Sequence, residues 1–389
     1  MNDLKTLVRR HYQKIVQIRR DLHQIPETAY TEDKTSQYVA DVLTALGVPV
    51  STGIARYGVV GLKSFEAAGK TLMFRCELDA LPIVEKTGLA FASRNPLCMH
   101  ACGHDGHMAM VLGAAAVLCE MDRDLCGQIK FVFQPAEEGP GGAKSMIEAG
   151  VMKSPQVDFV LACHLWPAIA EGVVGVRSGP LMAAMDRFDI KIIGRGGHGA
   201  MPHLCVDALE IGTQVVGALQ RIVSRQMNPL SPTVLTVGQF EAGTTFNVIP
   251  NEARICGTTR TFDPKIWESW PNRIETVVRG VCQSMGADYQ LDYQQGYPVT
   301  ANDALMSEQV RQCAAAAVGP ENVVEPEPTM GGEDVSFFLE RAPGCFFFLG
   351  VGREGGAPIH NPWFDFNENV LLTGVEIYCR TAMVLLGKT

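Results

Sequence analysis

Nine residues, Met99-His100-Ala101-Cys102-Gly103-His104-Asp105-Gly106-His107, bring three imidazoles, a thiol and a carboxylate into one short stretch. These are the donors that hold borderline-soft divalent ions. Cys102 and His104 stand two apart, so an extended backbone would turn both to the same side. The stretch therefore reads as a metal-binding loop. Residues 108–118 are small, apolar and good helix formers, so the loop is expected to run into a helix.

At 389 residues, with 47% apolar and 19% charged side chains, the chain is long enough for two domains that each bury a core. Its apolar runs, such as 111–118 and 345–349, fall well short of the roughly 20 residues that span a bilayer. The first five residues lack the basic and apolar regions of a signal peptide, so no membrane role and a cytoplasmic location are expected. Twelve scattered cysteines then read as reduced thiols rather than as a disulfide framework. A net charge of −9 without any basic stripe argues against nucleic acid. A small-molecule substrate is the better expectation.

Taken in order, residues 4–25 repeat apolar positions at helical spacing and stop at Pro26, with Arg19, Arg20 and His23 on the polar side. A second helix is predicted over 31–46, followed by strands at 48–50, 58–62 and 71–74. The third strand delivers Glu77 and Asp79, either as turn carboxylates facing water or as site residues at the carboxyl end of an α/β strand. A strand at 128–133 delivers Gln134-Pro-Ala-Glu-Glu-Gly139, and one at 158–162 delivers His164. In a turning segment the adjacent Glu137 and Glu138 diverge, so one can ligate an ion while the other acts as a general base. From 186 onward the pattern becomes strand 188–193, helix 206–223, strands 233–237 and 253–259, helix 265–285 and strand 288–293. That β-α-β-β-α-β order is a ferredoxin-like unit inserted into the first domain. Helices near 303–318 and 333–340, a buried strand at 345–349 and a closing helix over 368–386 complete the chain.

Seven of the nine histidines fall at four places: 100, 104 and 107; 164; 198 and 203; and 360. Surface filler would be spread more evenly. Cys102, His104, Glu138, His164 and His360 could complete a site for two divalent ions, each keeping a position open for water or substrate. Such an ion lowers the pKa of its water toward about 7, and Glu137 could then take a proton from it. Asp105, next to a helix start, reads as an N-cap rather than a ligand. His107 and His203 read equally as packing residues or as participants. Metal-assisted hydrolysis of an amide is the chemistry the combination supports.

Six stretches carry a resemblance: His100-Ala-Cys-Gly-His-Asp-Gly-His107, Gln134-Pro-Ala-Glu-Glu-Gly139, Gly196-Gly-His-Gly-Ala-Met-Pro-His203, Phe246-Asn-Val-Ile-Pro250, Gly331-Gly-Glu-Asp334 and His360-Asn-Pro362. In order and over nearly the whole chain, they resemble the hippurate hydrolase and auxin-conjugate amidohydrolase group of the aminoacylase and carboxypeptidase metallopeptidase superfamily. The resemblance implies an α/β fold of two domains. An α/β/α catalytic domain in two segments, 1–182 and 297–389, would carry an inserted βαββαβ domain, 183–296, that makes homodimer contacts.

Carried over residue by residue, the resemblance implies Cys102, His104, Glu138, His164 and His360 as ligands of two divalent ions, with Glu137 as general base. Zinc suits the donors best, and manganese, cobalt and nickel remain open. Asp79 would orient a ligand. Glu77 stands where the wider superfamily has a histidine ligand, with Cys102 supplying the extra ligand in its stead. His198 and Asn247 would bind the substrate carboxylate or polarise its carbonyl, and Arg260 would bind a carboxylate. For His198 the alternative is a glycine-loop residue that caps a helix, and for Arg260 a surface charge. Gly331 and Gly332 could offer backbone N–H groups at the start of the following helix. The implied activity is hydrolysis of N-acyl amino acids. A dipeptidase or carboxypeptidase of the same superfamily is the nearer alternative, and a non-enzymatic metal or redox sensor the more distant one.

Overall fold

Strand residues Thr71–Glu77 are buried without a break, as are Gly344–Val351. Continuous burial of this kind belongs to a sheet covered on both faces. The computed structural model describes residues 4–121 and 124–388, which fall into two compact units. The first comprises residues up to 181 together with 301–327 and those from 334 onward, and the second 182–300 with 328–333.

The first unit is built on an eight-stranded sheet. In spatial order its strands are Val50–Ile54, Gly58–Ser64, Cys126–Gln134, Ala67–Glu77, Phe159–Ala170, Gly344–Gly352, Val174–Gly175 and Val323–Val324. The four central members, from Cys126–Gln134 to Gly344–Gly352, run parallel. The helix His104–Cys119 is buried along almost its whole length, including its polar first turn. A helix closed in on all sides belongs to the interior of a large layered domain. Its partners include the helices Tyr12–His23 and Val370–Leu386, which share its apolar cluster.

Several sequence boundaries move. The helix expected over 4–25 is two helices, Leu4–Arg10 and Tyr12–His23, separated where His11 N–H donates to the Val8 carbonyl at the tighter i→i−3 spacing. The strand expected to end at 162 continues to Ala170, because Gly344–Gly352 pairs alongside it from Val160 to Ala170. His164 thus lies within a strand. The helix expected over 333–340 is only Ser336–Leu339, since Asp334 is drawn into a buried network described below.

The second unit holds a four-stranded antiparallel sheet in the order Thr233–Ala242, Glu252–Thr261, Ala184–Ile193 and Asp288–Tyr297. Burial alternates along Ala184–Ile193, as it does when helices cover one face only. The helices are Ala208–Arg221 and Pro264–Met285, capped by the side chains of Asp207 and Asp263. With the helices between them, the strands follow the β-α-β-β-α-β order that the periodicity predicts. Among the described residues, no helix is long and apolar enough to cross a membrane.

Candidate metal centre

Parallel strands in the first unit deliver their carboxyl ends to one edge, the place where open α/β sheets build sites. Glu77 and Asp79 follow Ala67–Glu77, Glu137 and Glu138 follow Cys126–Gln134, and His360 lies beyond Gly344–Gly352. His104 opens its helix behind Gly103, whose φ of 90° suits glycine. His360 N–H donates to the Ala101 carbonyl at 2.8 Å, tying its loop to the one that carries Cys102. His360 itself has φ 60°, an uncommon conformation for a non-glycine residue.

These elements bring all five expected ligands together. Donor atoms of Cys102, His104 and His164 lie within 4.8 Å of one another, as do those of Cys102, Glu138 and His360, and those of His104, Glu137 and Glu138. The nitrogens are aimed by their neighbours. His104 donates through Nδ1 to the Asp79 carbonyl at 2.8 Å, which leaves Nε2 buried with no hydrogen-bond partner. His164 donates through Nδ1 to the Leu165 carbonyl at 2.8 Å, and its Nε2 stands 3.4 Å from Cys102 Sγ. Glu138 Oε1 is 2.9 Å from His360 Nε2 yet lacks a hydrogen-bond partner.

The electrostatics ask for a cation. Burial opposes charge on His104, but the Asp79 hydrogen bond and the charges of Glu77, Asp79 and Glu138 outweigh it and lift its pKa to about 10. Burial and the neighbouring His107 push His164 down to about 3, so it is a neutral imidazole able to ligate. Burial, with Glu138 and Glu137 beside it, raises the Cys102 thiol well above its usual range. Only a positive neighbour would make it a thiolate. Orphaned inward-facing donors, a carboxylate excess and a thiol among imidazoles fit a divalent ion.

Asp79 and Glu77 are fully buried, which rules out turn carboxylates facing water. Asp79 accepts the Glu138 N–H at 2.9 Å and so touches two of the expected ligands. Glu77 is occupied otherwise. It pairs with the Arg75 guanidinium and accepts from His107 Nδ1 at 2.7 Å. His107 Nε2 in turn accepts the Leu165 N–H at 2.9 Å, so His107 braces the backbone beside His164. Arg75 also donates to Asp334 at 2.7 Å, and Asp334 accepts from Gln134 and from the Gly142 and Ala143 N–H groups. This buried network fixes both ends of the Glu137-Glu138 loop.

Asp105 is not the N-cap the sequence suggested. Gly103 is, and Asp105 is a fully buried partner of Arg19 and His23 at 2.9 and 2.8 Å. Arg19 also bonds Asp365 and Glu368, with its guanidinium over the rings of Phe91 and Phe366. Arg19 and His23, expected on a polar face, are about 1% exposed. Burial disfavours a charged His23, but Asp105 and Glu85 outweigh it and raise its pKa to about 9. A histidine raised this way adds stability that is complete below its unfolded pKa, near 6.5, and is lost as pH rises through about 9. The gap in urea midpoint between wild type and His23→Gln should therefore be widest below about pH 6.5 and narrow toward pH ~10. A gap that stays constant over that range would count against a charged His23.

The remaining expected residues belong to the second unit. His198 pairs with Val248 on a short two-stranded ladder, placing it beside Asn247, whose carbonyl accepts the Gly199 N–H at 2.9 Å. His198 Nδ1 accepts from Ala200 N–H at 3.1 Å, so it braces its own loop and caps no α-helix. Arg260 donates to Thr258 and to the Thr259 carbonyl from the strand Glu252–Thr261. Gly331 and Gly332 do not open a helix, because the next one begins only at Ser336, and the Gly331 N–H is directed to Thr329 Oγ1 at 3.3 Å. The helix-start argument for these two glycines fails.

A two-unit α/β architecture with thiol, imidazole and carboxylate donors at the strand ends defines the class of metallopeptidase-like hydrolases. Residues 73–384 match the family described as Peptidase family M20/M25/M40, and the chain belongs to it. It is 45% identical over 301 residues to an N-acyl-L-amino acid amidohydrolase of Geobacillus stearothermophilus, covering 77% of this chain and 81% of the relative. It is 38% identical over 392 residues to thermostable carboxypeptidase 1 of Saccharolobus solfataricus, covering 99% and 98%. The crystal structure of the Bacillus subtilis YXEP protein, a dinuclear metal binding peptidase from the M20 family, superposes with a TM-score of 0.83 at 30% identity, covering 97% of this chain and 99% of that one. The chain is thus a hydrolase of amide bonds, and the non-enzymatic sensor reading is set aside. The buried, unactivated Cys102 thiol is likewise a poor target for oxidants.

Proposed function

We propose that the enzyme cleaves N-acyl amino acids, hippurate-like conjugates included, to a carboxylic acid and a free amino acid. The convergence of Cys102, His104, Glu138, His164 and His360, with Glu137 beside them, carries this reading. The five residues would hold two divalent ions, zinc best matching a thiolate among imidazoles. Ions held there would supply Lewis acidity, polarising the scissile carbonyl and acidifying water. Glu137 takes the proton from the attacking water and passes it to the leaving nitrogen. Asp79 keeps the His104 ring turned inward through its carbonyl and anchors the Glu138 backbone through its carboxylate.

His198, Asn247 and Arg260 are assigned to the substrate, His198 to the developing oxyanion and the other two to the carboxylate of the amino-acid half. The residues around 183–296 would also form a homodimer. Kinship to a carboxypeptidase keeps a second reading, cleavage of peptides, in play. Comparing benzoylglycine and other N-acyl amino acids with unblocked dipeptides separates the two. The expected result is a kcat/KM at least about 100-fold higher for the acylated set, the scale on which a misplaced or missing group changes turnover. Equal or better turnover of free dipeptides would contradict the proposal.

A further inference from the structure

Among the buried carboxylates near the metal centre, Glu32 takes part in none of the interactions assigned above. It is fully buried and sits at the N-cap of the helix Asp33–Ala45. An acidic side chain there ordinarily accepts from its own helix's first N–H groups. Glu32 does not. Glu27 serves the helix in its place, accepting from the Thr35 N–H at 2.9 Å and the Thr35 hydroxyl at 3.0 Å. Freed from capping, Glu32 Oε1 accepts the Ala136 N–H at 2.8 Å, across 104 residues of sequence.

Ala136 is the residue just before Glu137 and Glu138, and its φ is 59°. Left-handed backbone is disfavoured for a residue with a Cβ and persists where surrounding structure fixes it. Here the loop curls around Ala136, whose carbonyl accepts the Gly139 and Gly141 N–H groups at 3.4 and 3.1 Å. The segment that carries Glu32 lies against this loop. Tyr30 donates to the Gly141 carbonyl at 3.2 Å, and a Cβ at Gly139 would meet the Ala29 methyl at 2.6 Å. We propose that Glu32 is a positioning residue that holds Ala136 in its left-handed conformation and thereby aims Glu137 and Glu138 into the metal centre. The inference rests on the ligand role given to Glu138 above.

Zinc dissociation constants, measured on the full-length protein by competition with a chromophoric chelator, test it. Glu32→Ala should weaken zinc binding by about 10- to 100-fold, the usual effect of removing a partner that orients a ligand. Glu32→Gln keeps an acceptor for the Ala136 N–H and should bind like wild type. Ala136→Gly should also bind like wild type, because glycine adopts positive φ without strain. The double variant Glu32→Ala/Ala136→Gly should recover most of the lost affinity, a rescue that mere filling of space by Glu32 does not foresee. Wild-type affinity in Glu32→Ala, or a double variant no better than Glu32→Ala, overturns the role of Glu32. If Glu32→Ala alone does not fold by circular dichroism, the double variant decides: recovered folding and zinc binding support the role, and an equally unfolded protein overturns it. Wild-type protein that binds no zinc overturns the assignment of Glu138 itself and the role of Glu32 with it.

Discussion

Glu137→Gln is expected to lower kcat for N-acyl amino acid hydrolysis by about 100- to 10,000-fold, the contribution of a positioned general base. The substitution keeps the size and the hydrogen-bonding oxygen of the side chain but removes the lone pair able to take up a proton. Glu137 lies within reach of His104 and Glu138, whereas Glu138 also joins Cys102 and His360; with Glu138 as the ligand and Glu137 as the base, metal content should stay at the wild-type level. Because proton transfer belongs to the transition state, kcat and kcat/KM should fall together while KM changes little. Turnover near that of wild type would remove Glu137 from its role. Loss of bound metal in step with activity would instead make it a ligand.

The parts of the site that are legible in the sequence are those whose chemistry is local. A thiol, three imidazoles and a carboxylate within nine residues announce a metal loop before any fold is known. Carboxylates just past apolar strands point to the carboxyl edge of a sheet, and Glu137, Glu138 and His360 lie there. The ferredoxin-like order is likewise readable, because strands such as Ala184–Ile193 alternate in burial and its helices carry one apolar stripe.

What holds those ligands in place is not legible in that way. Arg19 reads as a charge on the wet side of a helix, because its partners Asp105 and Asp365 lie 86 and 346 residues away. Arg75 interrupts an apolar strand, the one local hint that a buried charge is being matched elsewhere, and its partner Asp334 is 259 residues distant. Asp105 beside a helix start looks like a cap, and only the fold shows that Gly103 has that place. Glu32 hides for the opposite reason, since its position invites the capping role that Glu27 fills. A buried ion pair stripped of one partner costs about 3–5 kcal/mol, so the metal loops depend on residues whose purpose appears only in three dimensions.

Removal of metal should produce an effect as large. With its ions stripped by a chelator, the protein retains His104 beside several carboxylates and a thiol that burial keeps protonated. Nothing among the side chains at this centre replaces a dication in polarising a carbonyl. Stabilisation of several kcal/mol is what such an ion supplies, which corresponds to a rate loss of about 1,000-fold or more. The measurement that bears most directly on the whole account is a titration of stripped protein with zinc or manganese, following bound ion and hydrolysis of an N-acyl amino acid in the same samples. Activity should rise from near zero and level off at two ions per chain. Full hydrolysis by the ion-free protein, or a plateau reached with no ion bound, would contradict it.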